Sequence, residues 1–349
     1  MPWPTPNYSK KAVNRAGETL LRPDSNLEQW IDAYQALTNW RACHGYPINT
    51  FQATLRNKLK RTDSSAVVAQ RLKRFPSILS KLRRFEGMKL SRMQDIGGLR
   101  AVVTSVKDLR ALEESYRSSR FEHELLDCDD YIEQPKRTGY RSLHLIYKYR
   151  NPRAPAYDGL MVELQFRTKL QHAWATAVET MGTLLNHSLK SSEGPDIWLR
   201  FFSLAGAAFA HLEGCPRVPG FEHLERRETY QLTADMASQL QVTDKLKGYT
   251  TAVDQIPHFN FKAGYYLLVL DISSHRVKIE PFARANLDEA NAKYAAIEGQ
   301  ASGGTAIQAV LVSATSLDNL RKAYPNFFLD TNEFVRRLGA IIRSSVKDG

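Results

Sequence analysis

Cysteine is scarce in this chain. Cys43, Cys128 and Cys215 are odd in number, far apart and without the spacing of zinc ligands, so neither a disulfide framework nor a zinc site is expected. Long apolar runs are missing as well. The longest uncharged one, Phe201 to Leu212, is far too short to cross a bilayer. The opening MPWPTPNYSKK lacks the apolar core of a signal peptide. These absences together lead to the expectation of a cytoplasmic protein with no membrane partner. The Gly-rich stretch 299–304 is followed by no Lys-Ser/Thr pair, which excludes it as a phosphate loop. No internal repeat is visible.

What is present is ordinary in amount and skewed in charge. Apolar residues make up 43% of the 349 and charged residues 24%, enough for packed cores and against low-complexity disorder. The net charge is +11. That balance favours anionic partners such as nucleotides, nucleic acid or an acidic protein, although a basic enzyme that binds no nucleic acid has the same composition.

Along the chain, residues 1–25 read as a loose N-terminal arm. Helical periodicity begins with Trp30, Tyr34, Leu37 and Trp40, and two more helices are expected at about 50–61 and 64–75, with Pro76 ending the second or marking a turn. A short helix then covers 77–85. Leu99–Val106 reads as a strand, 109–116 as a helix, and 143–149 and 161–167 as strands. Thr168 with Gln171 forms a capping box that opens a long helix, and an apolar helix follows at 197–212. Alternating strands and helices indicate an α/β (α+β) core. A Pro/Gly and charged stretch near 213–230 sets the boundary between a domain at 26–225 and a smaller α+β one at 226–349. In the latter, helix 230–246, a hairpin (265–271 and 276–282), helix 287–298, strand 305–313 and helices 317–323 and 332–345 are expected.

Four segments carry candidate chemistry. In Val162-Glu163-Leu164-Gln165-Phe166-Arg167, strand alternation puts Glu163, Gln165 and Arg167 on one face: a carboxylate, an amide and a guanidinium in a row suit a site holding metal and phosphate. Taken alone, a half-exposed edge strand explains the pattern equally. Asp95 enters the next strand beside two glycines, where a carboxylate can share Mg²⁺ with Glu163 or serve as a turn cap. The loop Gln134-Pro-Lys-Arg-Thr-Gly-Tyr-Arg-Ser-Leu-His144 offers Lys136 and Arg141 to phosphates and Tyr140 to a base, or is a basic connection with its tyrosine in the core. From Arg56 to Arg84 ten Lys/Arg face one acid, Asp63. There Arg71, Lys73, Ser77 and Lys81 gather around Pro76 and could meet one triphosphate, or line a solvated helix face.

In order and wording, RLKRFPSILSKLRR, MQDIGGLRAVV, PKRTGYRSLHL and VELQFRTKLQHAWATAVE resemble the RelA/SpoT synthetase family over about residues 50–215. The resemblance implies a nucleotidyltransferase-like mixed sheet flanked by helices, and transfer of the β,γ-pyrophosphate of ATP to a ribose 3′-hydroxyl. It implies an ATP site of Arg71, Lys73, Ser77, Lys81 and Arg100. Asp95 would be a Mg²⁺ ligand, with Glu163 holding the metal and assisting deprotonation of the acceptor. The acceptor site would hold Lys136, Tyr140, His144, Gln165 and Arg167. No His-Asp dipeptide occurs, so the hydrolase of the long family members is not expected. A synthetase domain followed by AYPNFFLDTNEF also resembles the fused CapRel-type toxin–antitoxin proteins of phage defence. That likeness implies a tail whose Tyr324 and Phe327 plug the ATP site in cis, Phe327 standing where the family has a second tyrosine. It further implies tRNA 3′-ends as acceptor in place of GDP or GTP, and a phage capsid protein as activator. An inactive nucleotide- or RNA-binding module is the alternative of another class, and the intact Asp95, Tyr140 and Glu163 speak against it. His258 and His275 read as ordinary loop histidines.

Overall fold

The computed structural model describes residues 3–185, 187, 189, 193–248, 252–253, 264–274, 276–301, 307–313, 317–328 and 330–347; His258 and His275 lie outside them. The strands are β1 (Val67–Leu72), β2 (Gly97–Val103), β3 (Glu124–Asp130), β4 (Leu143–Lys148), β5 (Met161–Thr168), β6 (Ala252–Val253), β7 (Tyr265–Asp271), β8 (Arg276–Phe282) and β9 (Ile307–Ser313). They form one mixed sheet in the order β3-β4-β5-β2-β1-β9-β7-β8-β6. β2 and β5 are parallel, while β1 and β4 flank them antiparallel. The helices are α1 (Lys10–Thr19), α2 (Leu27–Cys43), α3 (Gly45–Thr62), α4 (Phe75–Arg84), α5 (Val106–Arg117), α6 (Lys169–Leu184), α7 (Asp196–Glu213), α8 (Arg226–Gln239), α9 (Val242–Gly248), α10 (Leu287–Ala301), α11 (Leu317–Ala323) and α12 (Asn332–Lys347). The expected mixed sheet flanked by helices is therefore present, and the capping box of Thr168 and Gln171 makes both of its bonds.

Several expectations need correction. The stretch 64–75 is not a helix: Val67–Leu72 is β1, sandwiched between β2 and β9. The neighbouring valines favour a pleated surface, and two flanking strands override the charged helical spacing. Pro76 does not end a helix but stands in the first turn of α4, where its missing N–H costs nothing. Residues 10–19 of the supposed arm form α1, capped by Ser9, with Val13 and Ala16 buried. The single helix foreseen at 230–246 breaks at Gln241, whose φ of 52° is left-handed. β3 went unforeseen because four of its seven residues are acids, a composition that suits an exposed sheet edge.

The C-terminal elements do not stand apart from the rest. β9 pairs with β1, Gln70 opposite Ser313 and Arg71 opposite Val312, so the sheet runs on without interruption. From α12, Phe334, Leu338 and Ile341 enter one apolar cluster with Trp174, Phe202 and Phe209 of α6 and α7. Arg74 donates from Nη1 to Gln308 Oε1 at 3.0 Å across the same seam.

Candidate active site

Register brings the singled-out residues to one face. Gly98 lies opposite Arg71 on β1 and Glu163 on β5, while Arg100 lies opposite Ala69 and Gln165 and His144 opposite Gln165. A Cβ at Gly98 would sit 3.3 Å from the Glu163 carbonyl oxygen, so glycine leaves a hollow between the two charged neighbours. On the other side of the strand, a Cβ at Gly97 would strike His44 and Ile48 at 2.8 Å, which explains the pair: one glycine lets α3 approach, the other opens the cleft.

Asp95 stands where the chain enters β2. Lys73 Nζ is 2.6 Å from Oδ2 and Lys81 Nζ 3.0 Å from Oδ1. Burial pushes the Asp95 carboxyl up, but the two ammonium charges outweigh it and bring the pKa down to about 2. Burial pushes Lys73 down from its ordinary value. Ser77 precedes Lys81 by four residues on α4, hence on the same face, though it does not line the cleft itself. Arg100 donates from Nε to Gln165 Oε1 at 3.0 Å. Its burial, with Arg167 and Arg71 nearby, lowers its pKa to about 10.

The Glu163 side of the cleft is a chain of bonds. His144 Nδ1 is 2.8 Å from Glu163 Oε1 and its Nε2 is 2.8 Å from the Tyr140 hydroxyl. Burial alone would push His144 down; Tyr140 and Glu163 reverse this and raise it to about 9. The ring is thus an imidazolium at neutral pH, donating from both nitrogens. Burial raises the Glu163 carboxyl, but His144 more than offsets this and the net shift is downward. Arg167, buried, donates to the same Tyr140 hydroxyl at 2.9 Å. Lys136 lies over the Tyr131 and Tyr140 rings at 4.1 and 5.6 Å.

These shifts fix a pH signature. The raised His144 stabilises the fold fully below its ordinary 6.5, and that contribution disappears as pH rises through about 9. The lowered Glu163 contributes above its ordinary 4.5 and loses its contribution as pH falls. The stability margin of the wild type over His144→Gln, measured by denaturant unfolding, is therefore expected to peak between pH 4.5 and 6.5 and to vanish above about pH 9. A margin that stays flat from pH 6 to 10 contradicts the pairing.

Tyr140 is only 8% exposed, edge-on to Trp174 at 6.3 Å. It is not open over the cleft. It lines a separate cavity of about 370 Å³ with Trp174, Val178, Phe202 and Phe221, rimmed by Arg137 and Arg200. Arg141, offered to phosphates by its sequence, is instead buried and donates to the Gly206 carbonyl at 2.9 Å.

The cleft proper is lined by Arg71, Asp95, Gly98, Arg100, Glu163 and Gln165, with Tyr324 entering from the C-terminal part. Only about 30 Å³ remains, room for a water molecule or two. The Tyr324 hydroxyl donates to the Gln70 carbonyl, and the side chain is buried. Phe327 is not among the residues that line the cleft: it packs with Tyr266, Leu268 and Ala69 beside it, so one ring rather than two reaches the site. Sequence reading did not single out His172, whose Nε2 lies 3.3 Å from the Lys322 carbonyl just before Tyr324. Burial beside Arg100 and Arg167 holds His172 neutral; only its place in an apolar helix pattern hinted at this. Among the described residues no group of three His, Cys, Asp or Glu is arranged as a metal cage, and no helix is long and apolar enough to cross a membrane.

Comparison with known proteins gives this site its relatives. The GTP pyrophosphokinase YjbM of Bacillus subtilis (strain 168) is 36% identical over 111 residues, 31% of this chain and 52% of that protein. The GTP pyrophosphokinase YwaC of the same strain is 29% identical over 128 residues, 34% and 59% respectively. The chain thus spans about half the length of the curated relatives it matches. Among solved structures, small alarmone synthetase 1 from Bacillus subtilis bound to its product pppGpp aligns with a TM-score of 0.41 and 25% identity, over 57% of this chain and 94% of that one. Residues 70–182, which hold every lining residue of the cleft except Ala69 and Tyr324, match the family described as the region found in RelA / SpoT proteins.

Proposed function

We propose that this chain is an ATP-dependent pyrophosphokinase, moving the β,γ-pyrophosphate of ATP to a ribose 3′-hydroxyl. The observation that carries the reading is the row of Arg71, Arg100, Asp95 and Glu163 around the hollow at Gly98, inside the segment that matches the RelA/SpoT region. Cations beside carboxylates at a glycine gap suit a transfer whose catalysis is positioning and charge neutralisation. Arg71, Lys73, Ser77, Lys81 and Arg100 take the phosphates. Two ionised carboxylates on one cleft fit Mg²⁺, which takes one or two carboxylates plus phosphate oxygens and waters. Asp95 and Glu163 would hold it, Asp95 exchanging its lysines for the ion. Bound there, the metal supplies charge to the phosphates. Glu163, kept ionised by His144, accepts the acceptor's proton.

For the acceptor we propose the 3′-end of tRNA, with translation as the process arrested. The net charge of +11 and the basic run before Arg84 support it. GDP or GTP is the second reading, favoured by the names of the relatives. The cavity beside Tyr140 is the proposed seat of the acceptor base in either case. Incubation of the wild type and of Tyr324→Ala with γ-labelled ATP and either deacylated tRNA or GDP/GTP decides: label in none of them with either protein removes the assignment. Tyr140→Ala is expected to raise the acceptor KM by about tenfold or more, as the loss of one base contact of roughly 1–3 kcal/mol requires, with the KM for ATP moved little. The reverse pattern exchanges the two sites.

We further assign residues 226–349 as a regulatory part that inhibits in cis, with a phage capsid protein as the proposed releasing partner. Support comes from Tyr324, which lines the cleft together with Arg71 and Glu163. Removing a buried aromatic costs about 3–5 kcal/mol, here largely from the closed state. Tyr324→Ala is expected to raise turnover at least tenfold, and Tyr324→Phe, lacking only the bond to Gln70, by less. Turnover equal to wild type in both variants identifies the tail as an assembly element. Truncation near 225 is a poorer test, because it strips Phe334, Leu338 and Ile341 from the cluster around Trp174.

A further inference from the structure

On the far face of β1 from the cleft lies a cavity of about 420 Å³. Its walls come from both parts of the chain. α3 contributes Gln52 and Arg56 and β1 contributes Gln70, while Tyr265 and Arg284 come from the C-terminal part and Trp3 from the segment before α1. It sits on the seam itself, since Gln70 pairs with Ser313 of β9, another of its lining residues.

Three observations make it a site rather than a packing gap. First, its charge is positive. Arg56 and Arg284 both line it, the only carboxylate lining it is Asp288, and among the described residues no carboxylate pairs with either arginine. Burial and the neighbouring Arg284 lower Arg56 from its ordinary value, as expected of two guanidinium groups that share a space without an anion. Second, a buried donor and a buried acceptor are left over. Among the described residues Gln52 Nε2 and Gln70 Oε1 have no partner, at a desolvation cost of about 1–3 kcal/mol each, and both side chains belong to the cavity wall. Third, aromatic Trp3 and Tyr265 stand at the same cavity, and its size lies in the range of small-molecule pockets.

We propose that this seam cavity binds a phosphate-bearing nucleotide, its phosphates on Arg56 and Arg284, its base between Trp3 and Tyr265 with the Gln52 and Gln70 amides on its edge. Guanidinium forks match phosphate oxygens, and a planar base is what aromatic walls and a free donor–acceptor pair recognise. Because the ligand touches both parts of the chain, it binds the joined state and holds β9 against β1. A nucleotide therefore strengthens closure of the cleft by Tyr324. This consequence for turnover rests on the proposed inhibitory role of the tail; the binding does not.

Equilibrium dialysis of the full chain with radiolabelled ATP, GTP and pyrophosphate tests it. Wild type is expected to bind a nucleotide more tightly than pyrophosphate. Arg56→Ala with Arg284→Ala is expected to lose about tenfold or more in affinity at the seam, the equivalent of one charged hydrogen bond, while Arg71→Ala and Tyr140→Ala, whatever they lose at the cleft and the acceptor cavity, each retain one nucleotide per chain at the seam. Arg284 is exposed, so Arg284→Glu alone keeps the test sound if the double variant does not fold. Four results overturn the proposal: no nucleotide bound by wild type, unchanged affinity in both arginine variants, loss of the binding in Arg71→Ala or Tyr140→Ala, or pyrophosphate binding as tightly as the nucleotides. If seam binding persists while Tyr324→Ala leaves turnover unchanged, the inhibitory reading alone fails.

Discussion

Glu163→Gln is expected to lower the rate of pyrophosphate transfer by at least about a thousandfold, within the 10²–10⁴ range of a lost general base compounded by a lost metal carboxylate. The substitution is isosteric, and the amide oxygen still accepts from His144 Nδ1 at the position now 2.8 Å away. What is lost is the charge. Without it His144 loses one of the two partners that lift it to about 9, and burial draws it back toward neutrality. The protein should fold, with its melting temperature lowered by a few degrees at most at neutral pH. Asp95→Asn is expected to abolish transfer as well, by a different route that also touches stability: Lys73 and Lys81, now held by one carboxylate, would face each other uncompensated. Its depressed pKa means that Asp95 contributes stability above its ordinary 3.8 and loses it as pH falls through about 2, so the variant's deficit persists across the neutral range. Steady-state rates with γ-labelled ATP, read beside thermal melts, separate the two. Near-wild-type transfer in either variant removes that carboxylate from the site.

How much of this was legible in the sequence depends on whether the signal was local. The period-two alternation of Val162 to Arg167 placed Glu163, Gln165 and Arg167 on one face before any fold was known. The hairpin of β7 and β8 and the capping box of Thr168 were readable for the same reason. β1 was not. Its sequence Val-Val-Ala-Gln-Arg-Leu carries no turn of its own, and it is a strand because β2 and β9 bond to both its edges. Its second partner lies more than 230 residues away, beyond any window of periodicity. The lysine clasp on Asp95 joins residues 22 and 14 apart, too far for helical or strand spacing to report. The entry of Tyr324 was suggested by a motif; that Phe327 would turn instead into the cluster with Tyr266 and Leu268 depends on packing that no motif encodes. The same holds for the seam. The boundary expected at 226 was read from composition, which says nothing about β9 pairing back onto β1.

Glu298→Ala is expected to undock the C-terminal part most completely of any single change. Glu298 sits on α10, buried, and its Oε2 is 2.9 Å from Nη1 of Arg41 on α2, itself buried. Its Oε1 accepts from the Tyr294 hydroxyl at 2.6 Å and from the Phe75 backbone N–H at 3.0 Å. That N–H opens α4, whose N-cap residue Arg74 supplies no side-chain cap. A carboxylate from the far part of the chain therefore caps the helix that carries Ser77 and Lys81, a favourable place for negative charge. Arg41 also donates to the Tyr294 hydroxyl at 3.1 Å, while its Nε has no partner among the described residues. Removing one member of a buried pair leaves the other charge stranded, at about 3–5 kcal/mol. Opening the seam lets Arg41 rehydrate, and the variant should open. The expected readouts are faster amide exchange in β1, β9 and the first turn of α4, together with turnover raised in the same direction as by Tyr324→Ala. Replacing the pair by apolar residues, Arg41→Met with Glu298→Met, should recover much of the docking, since a buried ion pair and a well-packed apolar pair are often close in stability. If Glu298→Ala leaves exchange at the seam unchanged, the closed state is held by the β1–β9 ladder and the apolar cluster of α12 instead. If exchange rises while turnover does not, opening the seam is not what frees the cleft.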